Sequence, residues 1–184
     1  MCRLGSPRHA EVVNKTVNPW PGRRFAQAAC AVGLGYAAVS VYWAAGGTWL
    51  LSTVGGTLGH ENGAGGVGII VAVWAAAVLK VVGAVVPLAA VGLTPWQAAV
   101  GRSHMRALAW VEAGILTIYG LVLAGAGWLE QSGVISPSAS ADHRALAWHA
   151  YLWDPWFLLW GVLVTAALLR SRQPPRPEPD SAAA

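Results

Sequence analysis

Four long apolar runs divide the chain, at about 25–46, 67–92, 106–129 and 145–169, with polar or Gly-rich connections between them. Each is near or above the roughly 20 residues that a helix needs to cross about 30 Å of hydrocarbon. The alternation of a barrel strand is missing, and lipid offers backbone groups no partners, so the pattern predicts helices. The expectation is an all-α integral membrane bundle of four transmembrane helices occupying 25–170. Residues 1–24 are polar, basic and Pro-bearing and read as a disordered arm; 171–184 read as a disordered Pro-rich tail. A basic arm before an apolar run also resembles a signal peptide, but its length and the later runs favour an uncleaved first span. The first connection (47–66) is Gly-rich, and its Trp49-Leu50-Leu51 part is expected to dip onto the membrane surface.

Within the second run, the positions three, four and seven residues from Lys80 are mostly small: Val73, Ala76, Ala77, Gly83, Ala84 and Pro87. The opposite face carries Val71, Trp74, Val78, Val82 and Val85. Small residues let helices approach closely while bulky ones can meet lipid, so Lys80 is expected to point into the bundle. The first run offers a matching small face through Ala29, Gly33 and Ala37.

Composition agrees with membrane residence. The chain is 55% hydrophobic and 11% charged, against about 25% charged in a typical soluble domain. A net charge of +4 could suggest nucleic acid, but the basic residues flank apolar runs and form no basic face, so no nucleic-acid partner is expected. The partners implied are the lipid bilayer and either further copies of the chain or a membrane partner protein. Cys2 and Cys30 offer no C-x-x-C pair or disulfide framework. Arg3, Arg8, Lys15, Arg23 and Arg24 precede the first run, Arg102 and Arg106 lie in the second connection, and Arg170, Arg172 and Arg176 follow the fourth run. Arg144 stands alone on the other side. The positive-inside rule then places both termini in the cytoplasm and the chain in the cell (inner or plasma) membrane as a multi-pass protein. Trp20, Trp96 and Trp110 fall near the inner interface and Trp43, Trp49 and Trp128 near the outer one.

Four ionisable residues lie inside the runs: Lys80, Glu112, His149 and Asp154. A charge at mid-helix costs about 2.5–3.5 kcal/mol on insertion scales, so each is expected to find a partner. Lys80 and Asp154 differ in depth by only roughly 5 Å, whereas Glu112 is roughly 9 Å further toward the cytoplasm than Lys80. The favoured pair is therefore Lys80–Asp154, with Glu112 as a second carboxylate below and His149 above. Such a cluster reads either as a structural tie between the second and fourth spans or as a proton relay.

The stretch Trp148–Gly161 carries four of the eleven tryptophans together with Asp154-Pro155. Pro155 frees the carbonyl of Tyr151. Either the helix is kinked there, or a short helix ends and another begins with Asp154 as N-cap and Pro155 at its first position. His149, Trp153, Trp156 and Trp160 recur at helical spacing, either as packing or as an aromatic stripe for a flat ligand. His60, Glu61, Glu130, Asp142 and His143 lie beyond the outer ends, but their spacing matches no metal motif, so no metal or cofactor is expected. No G-x-S-x-G, P-loop or H-E-x-x-H pattern occurs.

The segment Tyr42-Trp43-Ala44-Ala45-Gly46-Gly47-Thr48-Trp49 resembles the Y-W-A-x-G-G-x-W signature of a bacterial membrane family, the domain of unknown function 3995. The Lys80-bearing run and the W-H-x-x-L-W-D-P-W-F-L-L stretch are also similar to its four-span actinobacterial members. The resemblance covers about 25–170 and implies a small multi-span membrane protein. It carries over no catalytic residue. The leading functional reading is a non-enzymatic structural or accessory bundle, or a binder of a small apolar or cationic molecule. The alternatives are a proton-coupled small-solute transporter subunit and a metal or haem redox protein.

Overall fold

The computed structural model describes residues 20–55, 67–136 and 142–171. The arm up to residue 19, the tail from 172, and His60 and Glu61 lie outside the described residues. The helices are α1 (Trp20–Ala44), α2 (Val67–Ala90), α3 (Trp96–Val100), α4 (Arg102–Gln131), α5 (His143–Trp148) and α6 (Asp154–Arg170). A 3-10 turn covers Leu51–Thr53, and a π turn, His149–Trp153, joins α5 to α6 without interruption. Four rods are long and apolar enough to cross a membrane: Gly22–Ala44, Gly68–Ala90, Arg102–Gln131 and the composite His143–Arg170. The chain is thus a multi-pass helical membrane protein. The arm ends earlier than the sequence pattern suggests, because α1 begins at Trp20. Pro21 is no obstacle there, since the first turn of a helix has no use for its missing N–H.

Around the bundle, α1 packs against α2 and α6, α6 packs most extensively against α4, and α4 closes back more loosely on α2. The rods of α2 and α6 lie diagonally and barely touch. Lipid tails are as apolar as leucine, so these seams hold by close packing of small residues and by polar contacts. A Cβ on Gly33 of α1 would lie 2.6 Å from Trp160 Cζ2 and 2.8 Å from Ala84 Cβ. Ala29, Ala84, Ala109 and Ala113 complete this core around Trp160, Val164 and Leu168. The bulky face of α2 points outward as its pattern implies, with Val71, Trp74, Val78 and Val82 exposed.

The signature segment closes the end of α1. Gly46, at φ 93°, takes the left-handed conformation, and the Gly47 N–H bonds to the Tyr42 carbonyl at 2.9 Å. That is a helix-ending Schellman turn, which favours glycine at the left-handed position. Gly47 lies against the Tyr42 ring, and Trp43 Nε1 donates to the Trp49 carbonyl at 2.8 Å. The chain then turns back so that Thr53 is buried. At the fourth rod, the Asp142 carboxylate accepts from the N–H groups of Arg144 at 3.0 Å and Ala145 at 3.2 Å, capping α5.

Candidate functional site

The polar interior is organised by the π turn. Pro155 has no N–H to give, and the helix widens just before it: the Asp154 N–H bonds to the His149 carbonyl, five residues back. In a regular α-helix, residues five apart point about 140° away from each other. The wider turn brings them to one side, and His149 Nδ1 lies 3.2 Å from Asp154 Oδ1. Asp154 is 4% exposed. Its backbone is helical and its side chain caps nothing, so of the two geometries open from the sequence the N-cap alternative gives way to this ion-pair geometry. The span is one continuous rod whose irregularity is a π turn, a feature that recurs at functional positions.

Lys80 does not meet Asp154, which corrects the favoured pairing. Its Nζ donates to Ser40 Oγ at 2.7 Å and stands 4.0 Å from the centre of the Tyr36 ring. The reason is the arrangement of the rods. Depth alone matched the two residues, but α2 and α6 are diagonal, and Tyr36 of α1 fills the space between. Tyr36 stacks on Trp153 at 5.8 Å and Trp156 at 5.3 Å between ring centres, and meets Phe157 edge-on at 4.7 Å. Ser40 in turn donates to the Tyr36 carbonyl at 3.4 Å.

The turn after α1 docks onto this assembly. His149 Nε2 lies 3.1 Å from the Val54 carbonyl, and Trp153 Nε1 donates to Thr53 Oγ1 at 3.2 Å. The Thr53 hydroxyl passes its own hydrogen to the Leu50 carbonyl at 2.6 Å. Leu50 holds φ 60°, a left-handed conformation costly for a γ-branched side chain, and this dock holds it in place.

Two cavities flank Lys80. One, of about 340 Å³, is lined by Lys80, Ser40, Tyr36, Trp43, Val54, His149 and Trp153 among others. The other, of about 420 Å³, lies between α2 and α4 and is apolar except for Lys80, Glu112 and Trp160. Both Glu112 carboxyl oxygens are buried without a hydrogen-bond partner, as is Trp160 Nε1. The Glu112 carboxyl sits beside Gly83, where a Cβ would lie 3.1 Å from Oε1. The structure therefore separates the expected four-residue cluster into three parts: His149 with Asp154, Lys80 with Ser40 and Tyr36, and Glu112 alone.

The tryptophan stripe is divided in the same way. Trp153 walls the first cavity and Trp160 the second, while Trp156 spends its N–H on the Val32 carbonyl at 3.0 Å. Among the described residues no group of three metal-ligating side chains forms. Sequence reasoning passed over Tyr36, Ser40, Thr53 and the Val54 carbonyl. Tyr36 and Ser40 had a signal, since they are four residues apart on the side of α1 that carries Ala29, Gly33 and Ala37. The Val54 carbonyl had none, because every residue type offers one.

Residues 33–164 match the sequence profile of a family described as Protein of unknown function (DUF3995). The chain belongs to this family. The DUF3995 match takes in the α1 end turn, both cavities and the π turn, so every polar side chain described above falls within it. No curated protein and no solved structure gives a match.

Proposed function

We propose that this DUF3995 protein is a non-enzymatic bundle of the cell membrane, with both termini cytoplasmic, that binds a small membrane-partitioned molecule between α2 and α4. The observation that carries the reading is Glu112, a carboxyl with both oxygens buried and unpartnered in an otherwise apolar cleft. Leaving such a group unsatisfied costs about 1–3 kcal/mol or more. A ligand that brings N–H donors on an apolar body recovers that energy. The cleft is walled among others by Leu79, Val82, Leu108 and Ile115, and all four are also exposed on the outer surface. A ligand can therefore arrive sideways from the lipid. Its chemical class is a lipophilic amine.

The test is a titration of the detergent-solubilised protein with octylamine and octanol, followed by native mass spectrometry. Octylamine should bind more tightly, and Glu112→Gln should erase the preference. Equal binding of the two probes, or an unchanged preference in the variant, would end this reading. Orientation is tested separately with a single cysteine in a Cys2→Ser, Cys30→Ser background. Trp49→Cys should react with an impermeant maleimide on intact cells, and Ala98→Cys only after lysis.

Proton-coupled transport is the second reading, favoured by one observation: Lys80 lines both cavities. Glu112, Lys80, Ser40 and the His149–Asp154 pair thus follow one another along the bundle. The reading requires a pH-dependent solute flux in proteoliposomes that Asp154→Asn removes. Flux that survives the replacement would rule it out.

A further inference from the structure

The cavity of about 340 Å³ lined by Val54, His149 and Lys80 holds a different chemistry from the Glu112 cleft. Its polar lining can be counted donor by donor. The Trp43 and Trp153 N–H groups are committed to the Trp49 carbonyl and Thr53 Oγ1. The Ser40 hydroxyl is committed to the Tyr36 carbonyl. Both nitrogens of His149 are engaged, by Asp154 and by Val54. Lys80 remains. An ammonium has three donors; Ser40 takes one, and the Tyr36 ring faces the group at 4.0 Å. Among the described residues no carboxylate forms an ion pair with it, because Asp154 is given to His149.

The cavity therefore presents a single positive charge with a donor to spare. It stands against the aromatic walls of Tyr36, Trp43 and Trp153 and the aliphatic side of α2 formed by Ile69, Val73 and Ala76. In surroundings of low polarity an unpaired charge is costly, and one counter-charge of opposite sign cancels it. We propose that this cavity is a binding site for an organic monocarboxylate, with Lys80 as the ion-pairing residue and the Tyr36–Trp43–Trp153 wall holding the apolar body. A monoanion balances the single ammonium. The site does not rest on the Glu112 reading, since it uses the other side of Lys80.

The experiment compares 4-phenylbutanoate with 4-phenylbutanamide on the full chain in detergent, by isothermal titration calorimetry. The amide keeps shape and removes charge. The carboxylate should bind at least about tenfold more tightly, the factor that 1.4 kcal/mol of binding energy represents. Lys80→Met should abolish the difference. Val73→Trp, on the half-buried side of α2, should fill the cavity and weaken the carboxylate by about tenfold or more while leaving the fold intact. Glu112→Gln should leave carboxylate binding within about twofold, which separates this site from the α2–α4 cleft. Equal binding of acid and amide to the unchanged protein would overturn the proposal whatever the variants do. So would full carboxylate affinity in Val73→Trp, or displacement of the carboxylate by an equimolar phosphodiester lipid, which would make the cavity a headgroup site instead.

Discussion

His149 Nδ1 and Asp154 Oδ1 are 3.2 Å apart although the two residues are five positions apart in one helical rod. A regular helix brings together residues three or four apart, so this contact exists only because the rod widens over His149–Trp153.

The pairing is checked by double-mutant cycles. Neighbours in one polar network couple by about 0.5–3 kcal/mol, whereas separated sites add to within about 0.5 kcal/mol. His149→Ala combined with Asp154→Ala should show coupling in thermal or denaturant unfolding. Lys80→Met combined with Asp154→Ala should be additive. Strong coupling in the second cycle and none in the first would restore the Lys80–Asp154 tie expected from depth.

Pro155 is expected to maintain the wide turn. Pro155→Ala restores an N–H that can bond four residues back, to Tyr151, and lets the rod relax to regular α-helix. His149 and Asp154 would then swing apart. The coupling between them should fall below about 0.5 kcal/mol in the Pro155→Ala background, even if the helix itself becomes more regular. Persistence of the full coupling would mean that packing alone holds the π turn.

The α4–α6 seam should tolerate no added carbon. A Cβ on Gly161 would come within 2.6 Å of the Thr117 backbone nitrogen, and backbone cannot rotate out of the way as a side chain can. Gly161→Ala should destabilise by about 1–3 kcal/mol, the usual cost of overpacking. Gly114→Ala, with open space at its Cβ, is the control and should be neutral or slightly stabilising in unfolding experiments.

Glu112 should reduce stability in the ligand-free protein. Glu112→Met keeps an unbranched side chain and removes two buried oxygens that have no partner. The variant should be more stable than the unchanged protein, by about 1–3 kcal/mol. A drop in midpoint would show that the carboxyl is already satisfied.

Much of the architecture could be read from the sequence because hydrocarbon thickness sets span length. The apolar runs place the rods to within a few residues, and Lys80, on the small face of its run, meets Ser40 and Tyr36 of α1. Partner choice was not readable in the same way. Depth ranks candidates along the membrane normal, but it cannot tell a neighbouring rod from a diagonal one. Lys80 and Asp154 agree in depth and still fail to meet, with Tyr36 between them. The contact of Asp154 with His149 was not foreseen, since five-residue spacing is wrong for an α-helix and only the widened turn makes it right. Pro155 was recognised as a break in hydrogen bonding; its consequence for side-chain direction was not.

The double engagement of His149 also fixes a proton inventory. Nε2 faces the Val54 carbonyl and Nδ1 faces the Asp154 carboxyl. A carbonyl only accepts, so Nε2 must carry a hydrogen. The gap to Asp154 needs a second, resident on either the ring or the carboxyl. The trio is therefore neutral in both arrangements, as imidazolium with carboxylate or imidazole with carboxylic acid. Withdraw one hydrogen and two lone pairs confront each other, either across the ion pair or across the dock to Val54. The turn that closes α1, and with it one wall of the Lys80 cavity, is thereby fastened by a joint whose grip depends on its stoichiometry of protons.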